Sequence, residues 1–167
     1  MKIKYLLLFF ITLISLIGRS QTFNYKENAV YIFNIVKNTT FPTSKTAITI
    51  GVFGNSPIEA ELKTLLAKKG TTYVLKHITL KELKNVDVII LANSSSKNLK
   101  EIQTTTAKLP ILIITEKADL NYNGASISLF MDEDEDYKTK YQLSPFNLRS
   151  RGLSMNQLII NNAVLVR

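Results

Sequence analysis

The chain has a single histidine, His77, and no cysteine. The missing cysteine excludes disulfides, thiolate zinc sites, iron–sulfur clusters and thiol nucleophiles, and one histidine excludes a multi-histidine metal site. His77 stands at the end of an expected strand with no acid or nucleophile at a recognisable spacing, so a structural or surface role is expected for it. There is no Gly-x-Ser-x-Gly elbow and no P-loop, and Gly51-Val52-Phe53-Gly54 lacks the third glycine of a dinucleotide fingerprint. No catalytic residue, cofactor or metal is assigned. The acids Asp132, Glu133, Asp134, Glu135 and Asp136 offer the densest charge, and alternate Asp132, Asp134 and Asp136 could face one way toward calcium. A helix–loop–helix calcium site needs Gly and Glu where Tyr137 and Leu143 stand. The run is therefore expected to be the solvated tip of a hairpin.

What remains are small polar residues placed where binding would occur. In an open parallel sheet, ligands sit beyond the carboxyl ends of the strands. Three loops are expected there: Gly54, Asn55 and Ser56; Asn93, Ser94, Ser95 and Ser96; and Thr115 with Glu116. They are the candidate ligand or partner loops, and the first opens a helix whose N-terminus suits an anion. The same residue types favour ordinary caps and turns, which is the plainer account of them.

The elements that must position these loops follow from periodicity. Tyr25, Ala29, Ile32, Phe33 and Val36 share one helical face, predicting a helix over 24–39 that Phe41-Pro42 stops. Apolar runs without alternation predict buried strands at 47–53, 71–78, 86–91 and 110–115. Between them lie helical segments at 57–66, 79–84 and 97–107. The first of these is expected to carry Ser56 as cap, Pro57 as first residue and Glu59 as return partner of a capping box. Buried strands alternating with helices predict an α/β fold, a mostly parallel sheet flanked by helices. Two runs at 125–131 and 137–143 predict a C-terminal antiparallel hairpin at one edge. A closing amphipathic helix is expected over 154–166, capped by Ser154.

Length and charge complete the frame. With 167 residues and no internal repeat or linker, one domain is expected. Residues 1–20 read as a secretory signal: Lys2 and Lys4, then 13 nearly continuous apolar residues from Tyr5 to Ile17, then small Gly18 and Ser20. The apolar run is short of the ~20 residues that a spanning helix needs. Cleavage is expected between Ser20 and Gln21, leaving 21–167 as the folded domain. Loss of Lys2, Lys4 and Arg19 takes 21 basic residues to 18 and the net charge from +8 to +5. The other lysines are spaced along helices without interleaved aromatics, so no nucleic-acid partner is expected.

The ordered segments resemble one family. The helix Lys26 to Lys37, with Tyr31 and Asn34, running into Phe41-Pro42, resembles the opening of the YfiR-like periplasmic proteins, an aromatic–Asn helix ended by an aromatic–Pro pair. Phe41 stands where Trp is usual. Ile48 to Pro57 resembles the first strand and Gly turn, and Pro110 to Glu116 the late strand. Gly124 to Leu129, Tyr141 to Leu143 and Gly152 to Ser154 resemble the hairpin and closing helix. The resemblance implies a non-catalytic periplasmic regulator that binds the periplasmic part of an inner-membrane diguanylate cyclase or sensor kinase, tying envelope conditions to cyclic-di-GMP signalling. A homodimer is a further partnership left open. The alternative is a periplasmic small-ligand module using the three polar loops. Lacking cysteine, this chain is excluded from any disulfide-based sensing.

Overall fold

The computed structural model describes residues 24–69, 72–135 and 138–166. The expected signal and its cleavage point lie outside the described residues. Helix α1, Tyr25–Lys37, opens on Asn24, whose side chain accepts from the Glu27 amide, and ends with Lys37 in its last turn, both favourable to the helix dipole. It turns Ala29, Ile32, Phe33, Ile35 and Val36 inward, as the periodicity predicts. After the two-residue strand β1, Thr39–Thr40, come β2, Ile48–Phe53; α2, Ile58–Leu66; and β3, Tyr73–Ile78. A 3-10 turn over Leu80–Asn85, capped by the reciprocal Thr79/Glu82 box, leads to β4, Val88–Leu91. A second 3-10 turn, Asn93–Asn98, runs into α3, Leu99–Thr105, followed by β5, Leu112–Thr115. The chain then forms β6, Ile127–Asp132; β7, Lys138–Leu143; α4, Pro145–Ser150; β8, Ser154–Met155; α5, Gln157–Asn161; and β9, Val164–Leu165.

Seven strands form one sheet in the order β3-β2-β4-β5-β6-β7-β9, while β1 and β8 pair separately. Every neighbouring pair in the large sheet is parallel except β6 with β7. The expected α/β architecture, with its antiparallel hairpin toward one edge, is therefore present. Strands β4 and β5 are completely buried. Val88 and Ile90 point into the core beneath α1 and α2, whereas Ile89 and Leu91 point into a second core beneath α3 and the 80–85 turn. A strand buried on both faces must be apolar at every position, which is why these segments show no alternation. Each fully buried Ile or Leu contributes roughly 2 kcal/mol of transfer free energy.

The C-terminal segment departs from expectation. The helix anticipated over 154–166 is reduced to α5, capped by the Asn156 side chain rather than by Ser154. Ser154 and Met155 instead pair with Thr40 and Thr39, and Val164 and Leu165 pair with Gln142 and Leu143. Two open strand edges, at β1 and β7, capture the chain on either side of one short helix. The Tyr141 hydroxyl fixes that helix by donating to the Ile159 carbonyl at 2.7 Å. The hairpin tip is as expected: Glu133–Glu135 form a 3-10 turn, and Lys140 bridges Asp132 at 2.7 Å and Glu135 at 2.8 Å. Its ammonium holds the Asp132 carboxyl below the usual range, mainly by hydrogen bonding.

Candidate functional site

The chain leaves β2 for β3 on one side of the sheet and then returns to β4 on the other, so the order reverses between β2 and β4. Loops after these strands diverge there and leave a crevice, the usual ligand position in open α/β sheets. The fold brings all three candidate loops to this place. Glu116, at 7% exposure, lies between the other two. One carboxylate oxygen accepts a hydrogen bond from the Ser56 hydroxyl, and the other accepts from the Asn93 amide at 3.0 Å. The Ser94 hydroxyl donates to the Asn55 carbonyl at 3.1 Å, and Thr115 Oγ1 accepts from the Lys117 amide at 3.1 Å. Gly54 has φ +87°, and a Cβ there would lie 2.7 Å from the Ser95 Cβ. Only glycine passes beneath Ser95 in that conformation.

The expected capping box of α2 does not form: the helix begins at Ile58, its cap falls on Pro57 rather than Ser56, and neither Ser56 nor Glu59 bonds the other's amide. Ser56 Oγ does accept from the Ile58 amide at 3.1 Å. Its hydroxyl proton, however, goes to Glu116, and Glu59 turns away to meet His77 Nδ1 at 2.9 Å. The Ser56 hydroxyl thus accepts from its own helix and donates across the sheet at once, two bonds that do not compete. Burial pushes the Glu116 carboxyl above its ordinary value, while the bonds from Ser56 and Asn93 oppose that shift. The site thus holds a buried carboxyl of its own at the opening of α2. Its polar groups tie three loops together.

Beside this knot a shallow cavity of about 580 Å³ is lined by Phe53, Gly54, Ile78, Leu80, Lys81 and Ser95, among others. A second cleft, about 520 Å³, lies elsewhere, between α1, β7 and α5. Tyr31 and Asn34, two positions of the family-like opening, line it together with Asn38, Lys140, Tyr141 and Leu158. The rings of Tyr31 and Tyr141 stand 6.0 Å apart at 59°. Phe41 packs against the core, and Pro42 is exposed; neither lines this cleft.

Sequence reasoning missed the second cleft, because it assumed an unbroken closing helix. It also missed two buried polar contacts. Asp87, flanked by Val86 and Val88, accepts from Lys45 and from the Thr49 amide, and an acid inside an apolar run is itself the signal that a partner must exist. Thr139 donates to Asn28 Oδ1 at 2.7 Å inside the core, where nothing local betrays the pairing. His77 does have an acid, Glu59, but the pair is partly exposed and lines neither cavity. Among the described residues no three His, Cys, Asp or Glu side chains cluster as metal ligands, and no helix is long and apolar enough to cross a membrane.

This sheet order and crevice define an open, mostly parallel α/β domain whose loops meet at the strand carboxyl ends. The YfiR/HmsC-like family model matches residues 25–163, and the chain belongs to that family. The family is periplasmic and regulatory rather than catalytic, and acts with membrane signalling proteins. No curated protein matches the chain at a significant level. Among solved structures, a conserved domain protein from Vibrio cholerae is similar, at 16% identity and TM-score 0.58, covering 86% of this chain and 60% of that one. The ABC domain in complex with L-Trp from Streptococcus pneumonia is similar at 13% identity and TM-score 0.56, covering 86% and 62%. The chain thus spans about three fifths of either neighbour, and the likeness is one of fold.

Proposed function

We propose that this protein is exported through its first twenty residues, cleaved after Ser20, and acts from Gln21 onward as a single-domain periplasmic regulator. In this reading it performs no catalysis and binds the periplasmic part of an inner-membrane diguanylate cyclase or sensor kinase. The observation that carries it is the family match over nearly all of the folded domain. The state of the crevice supports it: Glu116 engages the Ser56 hydroxyl and the Asn93 amide, the donors a small anion would need. The exposed side chains of Asn55, Asn93 and Ser94 around that knot are then available for contact with a protein. Affinity purification of the tagged protein from detergent-solubilised membranes tests this. Recovery of an inner-membrane sensor, and altered cyclic-di-GMP on deletion, is the expected result; recovery of none, with unchanged signalling, refutes it.

A second reading is favoured by the cleft at Tyr31 and Asn34, whose volume falls in the range of small-molecule sites. Paired tyrosine rings and amide side chains there suit a small ligand with a planar part and polar groups. Thermal-shift screening separates the readings, since a ligand that binds only the folded state raises the melting temperature. The pneumococcal neighbour is in complex with L-Trp, so amino acids belong in the first panel.

A further inference from the structure

Helix α1 carries two stripes. Ala29, Ile32, Phe33 and Val36 face the core. Tyr31, Asn34, Ile35 and Asn38, spaced three and four apart, run along its side and bound the cleft of about 520 Å³ with β7 and α5. The walls of this cleft are fixed. The Tyr141 hydroxyl holds α5 through the Ile159 carbonyl, and the chain on either side of α5 is tied into strand pairs. The Asn38 side chain donates to the Asn34 carbonyl at 2.8 Å. A pocket held in this way binds without first having to be ordered.

Its lining divides by polarity. Ile35, Tyr141 and Ile159 are buried and make an apolar base, with the half-buried Tyr31 ring beside Tyr141. Asn34 and Asn162 are exposed at the rim, and their side-chain amides have no hydrogen-bond partner among the described residues. Each such amide sets an acceptor and two donors side by side. Charge is balanced as well. Among the described groups that line the cleft or pair with one that does, Lys138 and Lys140 stand against Asp132 and Glu135. Lys140 is committed to both acids, at 2.7 Å and 2.8 Å, and Lys138 is exposed.

These properties select among ligand chemistries. A phosphate or carboxylate meets no uncommitted cation inside the cleft. A zwitterionic amino acid brings two charges to ion pairs that are already closed. A wholly aromatic ligand covers the amides without pairing them, and a polar group shielded from water without a partner is costly. A pyranose ring matches both halves of the lining. One face is a flat array of C–H bonds suited to an aromatic and aliphatic base, and its edge is a ring of hydroxyls that each donate and accept.

We propose that the cleft binds a pyranose unit of a neutral saccharide, its C–H face against Tyr31 and the apolar base and its hydroxyls on Asn34 and Asn162. The proposal rests on the small-ligand reading of this cleft and names the ligand class.

Isothermal titration calorimetry of the purified mature protein with cellobiose, triacetylchitotriose and L-Trp tests it. At least one of the two saccharides is expected to bind. Asn34→Ala and Asn162→Ala are each expected to weaken that binding by about two- to tenfold, the worth of one neutral hydrogen bond. Both side chains are exposed, so circular dichroism should be unchanged and loss of binding is separated from loss of fold. Preference for triacetylchitotriose supports the proposal with an N-acetylated glycan as the source, and preference for cellobiose supports it with a plain glucan. Silence of both saccharides up to about 10 mM while L-Trp binds overturns the saccharide and leaves the small-ligand reading standing. Silence of all three overturns the saccharide too, and a thermal-shift panel without a hit then removes the small-ligand reading with it. Saccharide binding that neither substitution weakens overturns the proposed site.

Discussion

Replacing Glu116 by Ala removes the acceptor that holds the Ser56 hydroxyl and the Asn93 amide, and with it the tie between the loops after β2, β4 and β5. Two opposing terms set the outcome. Each lost bond to a charged acceptor is worth about 1.5–3 kcal/mol. Against this, the variant no longer buries a carboxyl whose charged form is disfavoured, the cause of its raised pKa. Part of the exposed Asn93 backbone can turn to water, so the net loss is expected to be about 2 kcal/mol. For a domain of this size that lowers the melting temperature by roughly 4–8 °C.

The pH dependence is the sharper test. The native carboxyl lies above its ordinary value. Between the unfolded-state value and the raised native one, the folded protein therefore binds more protons than the unfolded chain. Stability contributed by this group is full below the ordinary carboxylate range and falls as pH rises through the native pKa. Glu116→Gln, which keeps the shape and removes the titration, isolates this term. Urea unfolding from mildly acidic to alkaline pH should show the wild type gaining stability over the Gln variant as pH falls. A difference that stays constant, or grows as pH rises, would refute the assignment of Glu116 as a desolvated carboxyl.

Two further substitutions probe the packing around the candidate sites. Gly54→Ala forces a Cβ into a backbone at φ +87° and within 3.2 Å of the Ala92 Cβ; a loss of about 1–2 kcal/mol from the conformation alone is expected in chemical denaturation. Thr139→Val leaves Asn28 Oδ1 buried without its donor, and since Asn28 Nδ2 has no partner among the described residues, the side-chain amide is left without a hydrogen bond there. A loss of about 1–3 kcal/mol is expected, largely recovered when Asn28→Leu accompanies it, as a double-mutant cycle would show.

How far the fold was legible varies by element. Val88–Leu91 and Leu112–Thr115 are unambiguous because a strand between two layers has no solvent face and must be apolar throughout. Helix α1 is equally plain, its buried positions spaced at the helical period and its start marked by Asn24. The segment after Leu153 was misread for the opposite reason. Apolar residues spaced through 158–166 suit a helix, but the open edges of β1 and β7 draw the chain's ends into pairing, and no local pattern encodes that competition. The loops after β2, β4 and β5 do leave the strand carboxyl ends, since alternation alone sets which end each loop leaves, but Thr115 is itself the last, buried residue of β5.

The sequence by itself determined the exclusion of cysteine and multi-histidine chemistry, the α/β class with helices on both faces of the sheet, and the family resemblance, because composition and periodicity are local properties. Only the tertiary structure decided the fate of particular polar groups. Ser56 was expected to bond its own helix partner, and Glu116 had no expected partner at all. Their meeting depends on three crossovers that bring residues sixty positions apart within hydrogen-bonding distance. Ser56 keeps the bond from its own helix amide and gives its free proton to Glu116, a contact between distant residues that no local pattern encodes.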